Sequence, residues 1–108
     1  MGAMERRKGA QAERELVGIL RAKGLKAQRT AQLQAASGST DADIIGVEGH
    51  HLEVKRQERV QIDKWCAQAE LAAHPTDVPC VAWRRSGQKW RVAMPLDDFL
   101  DLVARGSL

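Results

Sequence analysis

Asp43, Glu53 and Lys55 fall within the run Asp43-Ile44-Ile45-Gly46-Val47-Glu48-Gly49-His50-His51-Leu52-Glu53-Val54-Lys55. Two neighbouring carboxylates offer hard oxygen ligands, which suit a cation such as Mg²⁺ or Mn²⁺. A lysine beside them can orient or deprotonate a water for attack on phosphorus. The residue types therefore point to metal-dependent phosphodiester cleavage, provided the fold brings all three together. A lone Glu-x-Lys has a plainer reading as the solvent side of a half-buried strand, so the elements around it must decide.

Ala42 to Val47 and His51 to Gln57 read as two strands joined at Glu48-Gly49-His50. Residues two apart in a strand share a face, so Glu53 and Lys55 point one way and Leu52 and Val54 the other. With a three-residue loop, Asp43 stands opposite Lys55 and Ile45 opposite Glu53, which puts the three polar groups on one face. A two-residue loop shifts the register and separates them. The sequence leaves both open.

A third carboxylate comes from the N-terminal helix expected over residues 5–23, which Gly24 stops. At about 100° per residue, Glu13 shares a stripe with Leu16, Val17 and Leu20, while Glu15 projects well away from it. A carboxylate on a packed face needs cationic compensation, from a bound metal or from an arginine such as Arg29. Otherwise it sits at the edge of the stripe and reaches water.

The remaining elements are a short strand over Leu25–Thr30, a loop ending in Ser37-Gly38-Ser39-Thr40, and a second helix over Ile62–His74. In that helix Ile62, Trp65, Cys66 and Ala69 share one side, and Pro75 ends it. A second hairpin, Val78–Arg84 and Lys89–Met94, turns at Ser86-Gly87-Gln88. A last helix over Leu96–Ala104 is expected to turn Phe99, Leu100 and Val103 inward. The order is α-β-β-β-α-β-β-α, an α/β fold with a mixed central sheet flanked by helices.

The 108 residues suit one domain, residues 4–108, behind a Met1-Gly2-Ala3 that reads as a cloning remnant. The net charge of +3 and a pI near 9.2 are mild. The basic residues nevertheless gather at Arg6-Arg7-Lys8, Lys55-Arg56 and Arg84-Arg85, which fits a polyanionic partner. Two cysteines, Cys66 and Cys80, form no framework and are expected reduced and at least partly buried. His50, His51, His74, Cys66 and Cys80 match no zinc spacing, and His50 and His51 read as hairpin-tip residues. No long apolar run or signal pattern indicates a membrane or secretion, so a cytoplasmic location is expected, nucleoid-associated or in a host cytoplasm if phage-encoded.

Lys8-Gly9, Glu13-Arg14-Glu15-Leu16-Val17, Lys23-Gly24, Arg29, Ser37-Gly38-Ser39, Asp43-Ile44-Ile45 and Glu53-Val54-Lys55 follow one another in order. This set resembles the archaeal-type Holliday junction resolvases of the PD-(D/E)XK nuclease superfamily, a pattern shared by small phage and bacterial nucleases. The similarity runs from Lys8 to about Glu70. It implies a restriction-endonuclease-like core and cleavage of branched DNA, the four-way junction above all. It further implies Asp43 and Glu53 as metal ligands with the Val54 carbonyl, Glu13 completing the site, Lys55 as the active-site lysine, and Ser37 and Gln68 as further catalytic residues. Arg14 and Arg29 match basic residues near the site. Ala42 stands where the proline that names the superfamily would be, and Asp41 is a competitor for Asp43.

On this reading Mg²⁺, or Mn²⁺ in its place, serves Asp43, Glu53 and Glu13. Arg6, Arg7 and Lys8 form a flexible arm on the phosphate backbone, with Arg14, Arg29 and Arg56 as further DNA contacts. Two symmetric nicks from a one-site chain imply a two-fold homodimer, with Trp65, Trp83 and Phe99 as candidate interface residues. The alternatives are a nickase or a flap or single-strand nuclease of the same superfamily, and a non-catalytic DNA-binding accessory protein.

Overall fold

The central sheet takes its shape from β4 (Val78–Arg84), whose run Val78-Pro79-Cys80-Val81-Ala82-Trp83-Arg84 is apolar on both faces. A strand of that kind is covered on both sides. A computed structural model of the chain describes residues 2–32 and 42–106, leaving aside the side chains of residues 2–6 and 32. In it β4 pairs in parallel with β3 (His50–Arg56) and antiparallel with β5 (Arg91–Ala93). Beyond β3 come β2 (Ile44–Ile45) and β1 (Gln28–Arg29), both antiparallel, so the five strands lie in chain order across one mixed sheet. The parallel β3–β4 pair requires a crossover, which α2 (Ile62–Ala72) supplies. Helix α1 (Gly2–Ala22) precedes the sheet and α3 (Leu96–Gly106) follows it. The element order is the expected one.

Two cores lie on opposite faces. Leu16 and Val17 of α1 pack with Ala27, Ile44, Leu52, Cys80 and Ala82 on one face. Trp65 and Ala69 of α2 pack with Val81 on the other, with Trp83 alongside. The β3–β4 register sets Glu53 beside Val81 and Lys55 beside Trp83, so both site residues lie on the α2 face. Leu52 and Val54 face α1, as the alternation requires.

The structure departs from the sequence reading at four places. Arg6, Arg7 and Lys8 belong to α1 and are not a flexible arm, because Ala3, Met4 and Glu5 are strong helix formers that carry the helix back to Gly2. Strands β1 and β2 are two residues each, shorter than expected. The β2–β3 ladder stops at Ile44 because the Asp43 side chain, not a backbone carbonyl, takes the Val54 N–H. Trp65 is 2% exposed and belongs to the core, which removes it as an interface residue; Trp83 is partly buried against it, with ring centroids 6.2 Å apart. Helix α3 has no buried residue, and Phe99, Leu100 and Val103, expected inward, are each about half exposed. The apolar side of α3 is left largely uncovered; Leu102, itself 38% exposed, lines an apolar cleft of about 320 Å³ with Trp90, Val92 and Met94.

Glu15, expected well away from the packed stripe, joins α1 to the sheet. The Arg84 Nε and Nη2 donate to its two oxygens at 2.9 and 3.0 Å, and the Trp90 indole N–H donates to Oε1 at 2.6 Å. The Arg84 guanidinium also lies over the Trp90 ring, 5.3 Å from its centre. Both cysteines are free, Cys80 buried and Cys66 partly so. Burial pushes the Cys80 thiol up to about 11, with the Asp98 charge adding to it.

Candidate active site

The hairpin settles the register. Ile44 stands opposite Leu52, so the turn takes residues 46–49 and the pairing differs by two from the one expected for a three-residue loop. A shift of two keeps every side chain on its face. It brings Asp43 opposite Glu53 instead of Lys55, and Ile45 opposite His51. The turn depends on Gly46, whose φ is +96°; a Cβ there would lie 2.0 Å from the Lys26 carbonyl oxygen. The chain that enters β1 thus passes directly against the turn leaving β2, and only glycine fits between them.

Asp43 is held from both sides. Its carbonyl accepts the Thr30 N–H at 3.0 Å, and its Oδ2 accepts the Val54 N–H at 2.8 Å. The Thr30 hydroxyl donates to the Ala42 carbonyl. Glu53 lies across from it with Oε2 2.6 Å from the His51 Nε2. Burial pushes the Glu53 carboxyl above its ordinary range, and the nearby Asp43 charge pushes it further, while the His51 bond works against both. Burial also raises Glu13, opposed by its bond from the Arg29 Nε at 2.9 Å and reinforced by Asp43. Asp43 is therefore the negative charge felt by both glutamates.

This answers what compensates Glu13: Arg29 does, and both side chains are mostly buried. The Arg29 Nε–H is thus taken up by Glu13. Among the described residues no three His, Cys, Asp or Glu side chains are spaced to hold a metal ion together. In this arrangement Glu13 is bonded to Arg29, with Asp43 near enough for its charge to act on it. The donor set is two partly buried, mutually repelling carboxylates beside the Val54 backbone, and a cation relieves the repulsion that adds to burial in raising Glu53. That chemistry fits a divalent ion with oxygen ligands.

Lys55 lines a second cleft, of about 460 Å³, with Lys8, Gly9, Val54, Arg56, Gln57 and Glu58. Three cationic side chains therefore converge there. The Arg56 Nε is buried with no hydrogen-bond partner among the described residues, while its Nη1 donates to Gln11 at 3.4 Å. Glu58 lies 3.8 Å from the Lys8 ammonium and accepts the Ser86 N–H at 3.0 Å. Arg7 and Arg14 are exposed on α1. Gln68 is exposed on α2. Ser37 and Asp41 lie outside the described residues.

His51 was missed. It is 5% exposed, lies within β3 and not at the hairpin tip, and touches Glu53 directly. The signal was the same two-residue alternation that paired Glu53 with Lys55, continued one step back.

A family model described as "Phage putative PDDEXK endonuclease" matches residues 4–106. The chain belongs to this family. It is thereby a nuclease of the PD-(D/E)XK class, and its mixed sheet and three helices are the restriction-endonuclease-like arrangement expected. Among solved structures, the chain is similar to Hjc, a Holliday junction resolvase from the archaeal hyperthermophile Archaeoglobus fulgidus. The two share 24% identity over 79% of this chain and 73% of that one, with a TM-score of 0.49. A comparison with curated proteins finds no match. No helix among the described residues is long and apolar enough to cross a membrane.

Proposed function

We propose that this PDDEXK endonuclease is a divalent-metal-dependent deoxyribonuclease that cuts branched DNA, working as a two-fold homodimer. The observation that carries the reading is Asp43 bonded to the Val54 N–H opposite a partly buried Glu53, beside a cleft lined by Lys55, Lys8 and Arg56. Asp43, Glu53 and the Val54 carbonyl would hold Mg²⁺ or Mn²⁺, with Glu13 reaching it through water. Such an ion supplies hydroxide near neutral pH and a positive charge for the phosphate.

The chain's own groups do the rest. Lys55 sits two residues from Glu53 on the same face, where its ammonium orients the attacking water and offsets charge developing on phosphorus. Arg56 and Lys8 hold the neighbouring phosphate from the cleft that they line with Lys55. Arg7 and Arg14 extend that basic surface along α1. The branched-DNA part of the reading rests on the ordered motif set from Lys8 to Glu70, and the dimer on the need for paired nicks.

The test is cleavage of a synthetic four-way junction against duplex, flap and single strand, with and without Mg²⁺. Mg²⁺-dependent, symmetric nicking of the junction is expected, with Asp43→Ala and Glu53→Ala inactive but still binding DNA. Preference for the flap or single strand would move the substrate within the superfamily. Undiminished cleavage by both variants would remove the site.

A further inference from the structure

We infer that His51 is a positioning residue for Glu53, an inference that rests on the metal site proposed above. The imidazole Nε2–H donates to Glu53 Oε2 at 2.6 Å, and the His51 side chain is almost wholly buried. It stands on β3 two residues before Glu53, on the same face as Glu53 and Lys55. Its ring also walls a cleft of about 440 Å³ with Ile45, Gly46, His50, His74 and Asp77. One Glu53 oxygen is thus taken up by the imidazole, which leaves Oε1 as the oxygen offered toward a cation.

The two glutamates of the site show why a histidine matters at this position. Glu13 is bonded to Arg29, a permanent cation that cancels its charge. Glu53 is bonded to an imidazole, which donates an N–H without carrying a permanent charge. The bond fixes the carboxylate's rotation and leaves its negative charge for the metal. The orientation of a ligand by a neighbouring hydrogen bond is a general property of metal sites. Here the roles are reversed from the common pairing, since the carboxylate is the ligand and the histidine its support.

Two amide replacements separate this role from simple packing. In His51→Gln the amide nitrogen can reach the position of Nε2; in His51→Asn it stops one methylene short. Mn²⁺ binding to the full chain is measured by calorimetry, beside kcat and KM on the four-way junction. His51→Asn should bind Mn²⁺ about 10–100-fold more weakly and lose kcat with KM unchanged, while His51→Gln stays within about threefold of wild type. Equal Mn²⁺ affinity in all three proteins, or a His51→Gln as weak as His51→Asn, would overturn the assignment. Wild type and Glu53→Gln are run alongside. If wild type takes up no Mn²⁺, or Glu53→Gln binds as wild type does, the metal site itself fails and the role of His51 with it. If that pair behaves as expected and His51→Asn binds normally, only the role of His51 falls.

Discussion

Glu53 and Glu13 are both carboxyls that burial and Asp43 push above the ordinary glutamate range, and that has a measurable consequence. A carboxyl with a raised folded-state value stabilises the protein fully below its unfolded value, and loses that contribution as pH rises through the raised one. Glu15 runs the other way. The Arg84 bond holds it below the ordinary range, so its stabilisation is present above that range and fades as pH falls through the lowered value. A cation binds only the deprotonated carboxylates. The rise in Tm on adding Mn²⁺ should therefore be clearly larger at about pH 7.5 than at about pH 5, read by thermal denaturation at the two pH values. An equal shift at both would mean that the ion binds elsewhere. At this scale the sequence was informative where periodicity decides. Glu13 on the packed stripe, and Glu53 with Lys55 on one face, were legible because 3.6- and 2-residue periods fix direction. That Arg29 in particular would take Glu13 is a contact across 16 residues, and the sequence offered it beside a bound metal without choosing.

At the level of elements, the β2–β3 turn positions the site. Gly46 lets the chain run against Lys26, and a side chain there meets backbone at 2.0 Å in a left-handed conformation. Gly46→Ala should cost at least about 3 kcal/mol in stability and should displace Asp43 from Val54, so that cleavage falls even where the protein remains folded. Urea denaturation and junction cleavage of the same sample check both effects. The turn also shows where sequence reading ran out. Its length was open because Gly46, Glu48-Gly49 and His50 all suit turns, and the choice was made by the distant Lys26 carbonyl. The boundaries of β4 were legible to the residue, since an apolar run ended by charged and glycine residues has one reading. The short β1 and β2 were not, because a side-chain bond from Asp43 replaced the ladder. Helix α3 misled in another way: Phe99, Leu100 and Val103 have the spacing of a buried stripe, but periodicity reports amphipathicity and not whether the apolar face is covered.

Across the whole molecule, the contact of Glu15 with Arg84 and Trp90 links positions 69 and 75 residues apart in the chain. It fastens α1, and with it Glu13 and Lys8, to the strand next to β3. Glu15→Ala leaves Arg84 nearly buried without its partner. The expected loss is about 1–3 kcal/mol, below the full cost of a broken buried pair because Glu15 itself is well exposed. Thermal denaturation should show the drop, with metal affinity retained in the folded fraction. The quaternary expectation belongs to this scale too: sedimentation of the free chain should give twice the monomer mass, and its junction complex two chains per DNA. A monomer on the junction would leave two symmetric nicks to sequential encounters.

The pinning of Thr30 to Ala42 and Asp43 reaches beyond the placing of one carboxylate. It ties the end of β1 to the entry of β2, since Thr30 directly follows Arg29 and Asp43 directly precedes Ile44. Arg29, the partner of Glu13, and Asp43 are therefore held at a fixed spacing by backbone. The separation of the two carboxylates is a property of the sheet edge, so a change at Thr30, which itself offers no carboxylate, should alter how strongly Glu13 and Asp43 feel one another.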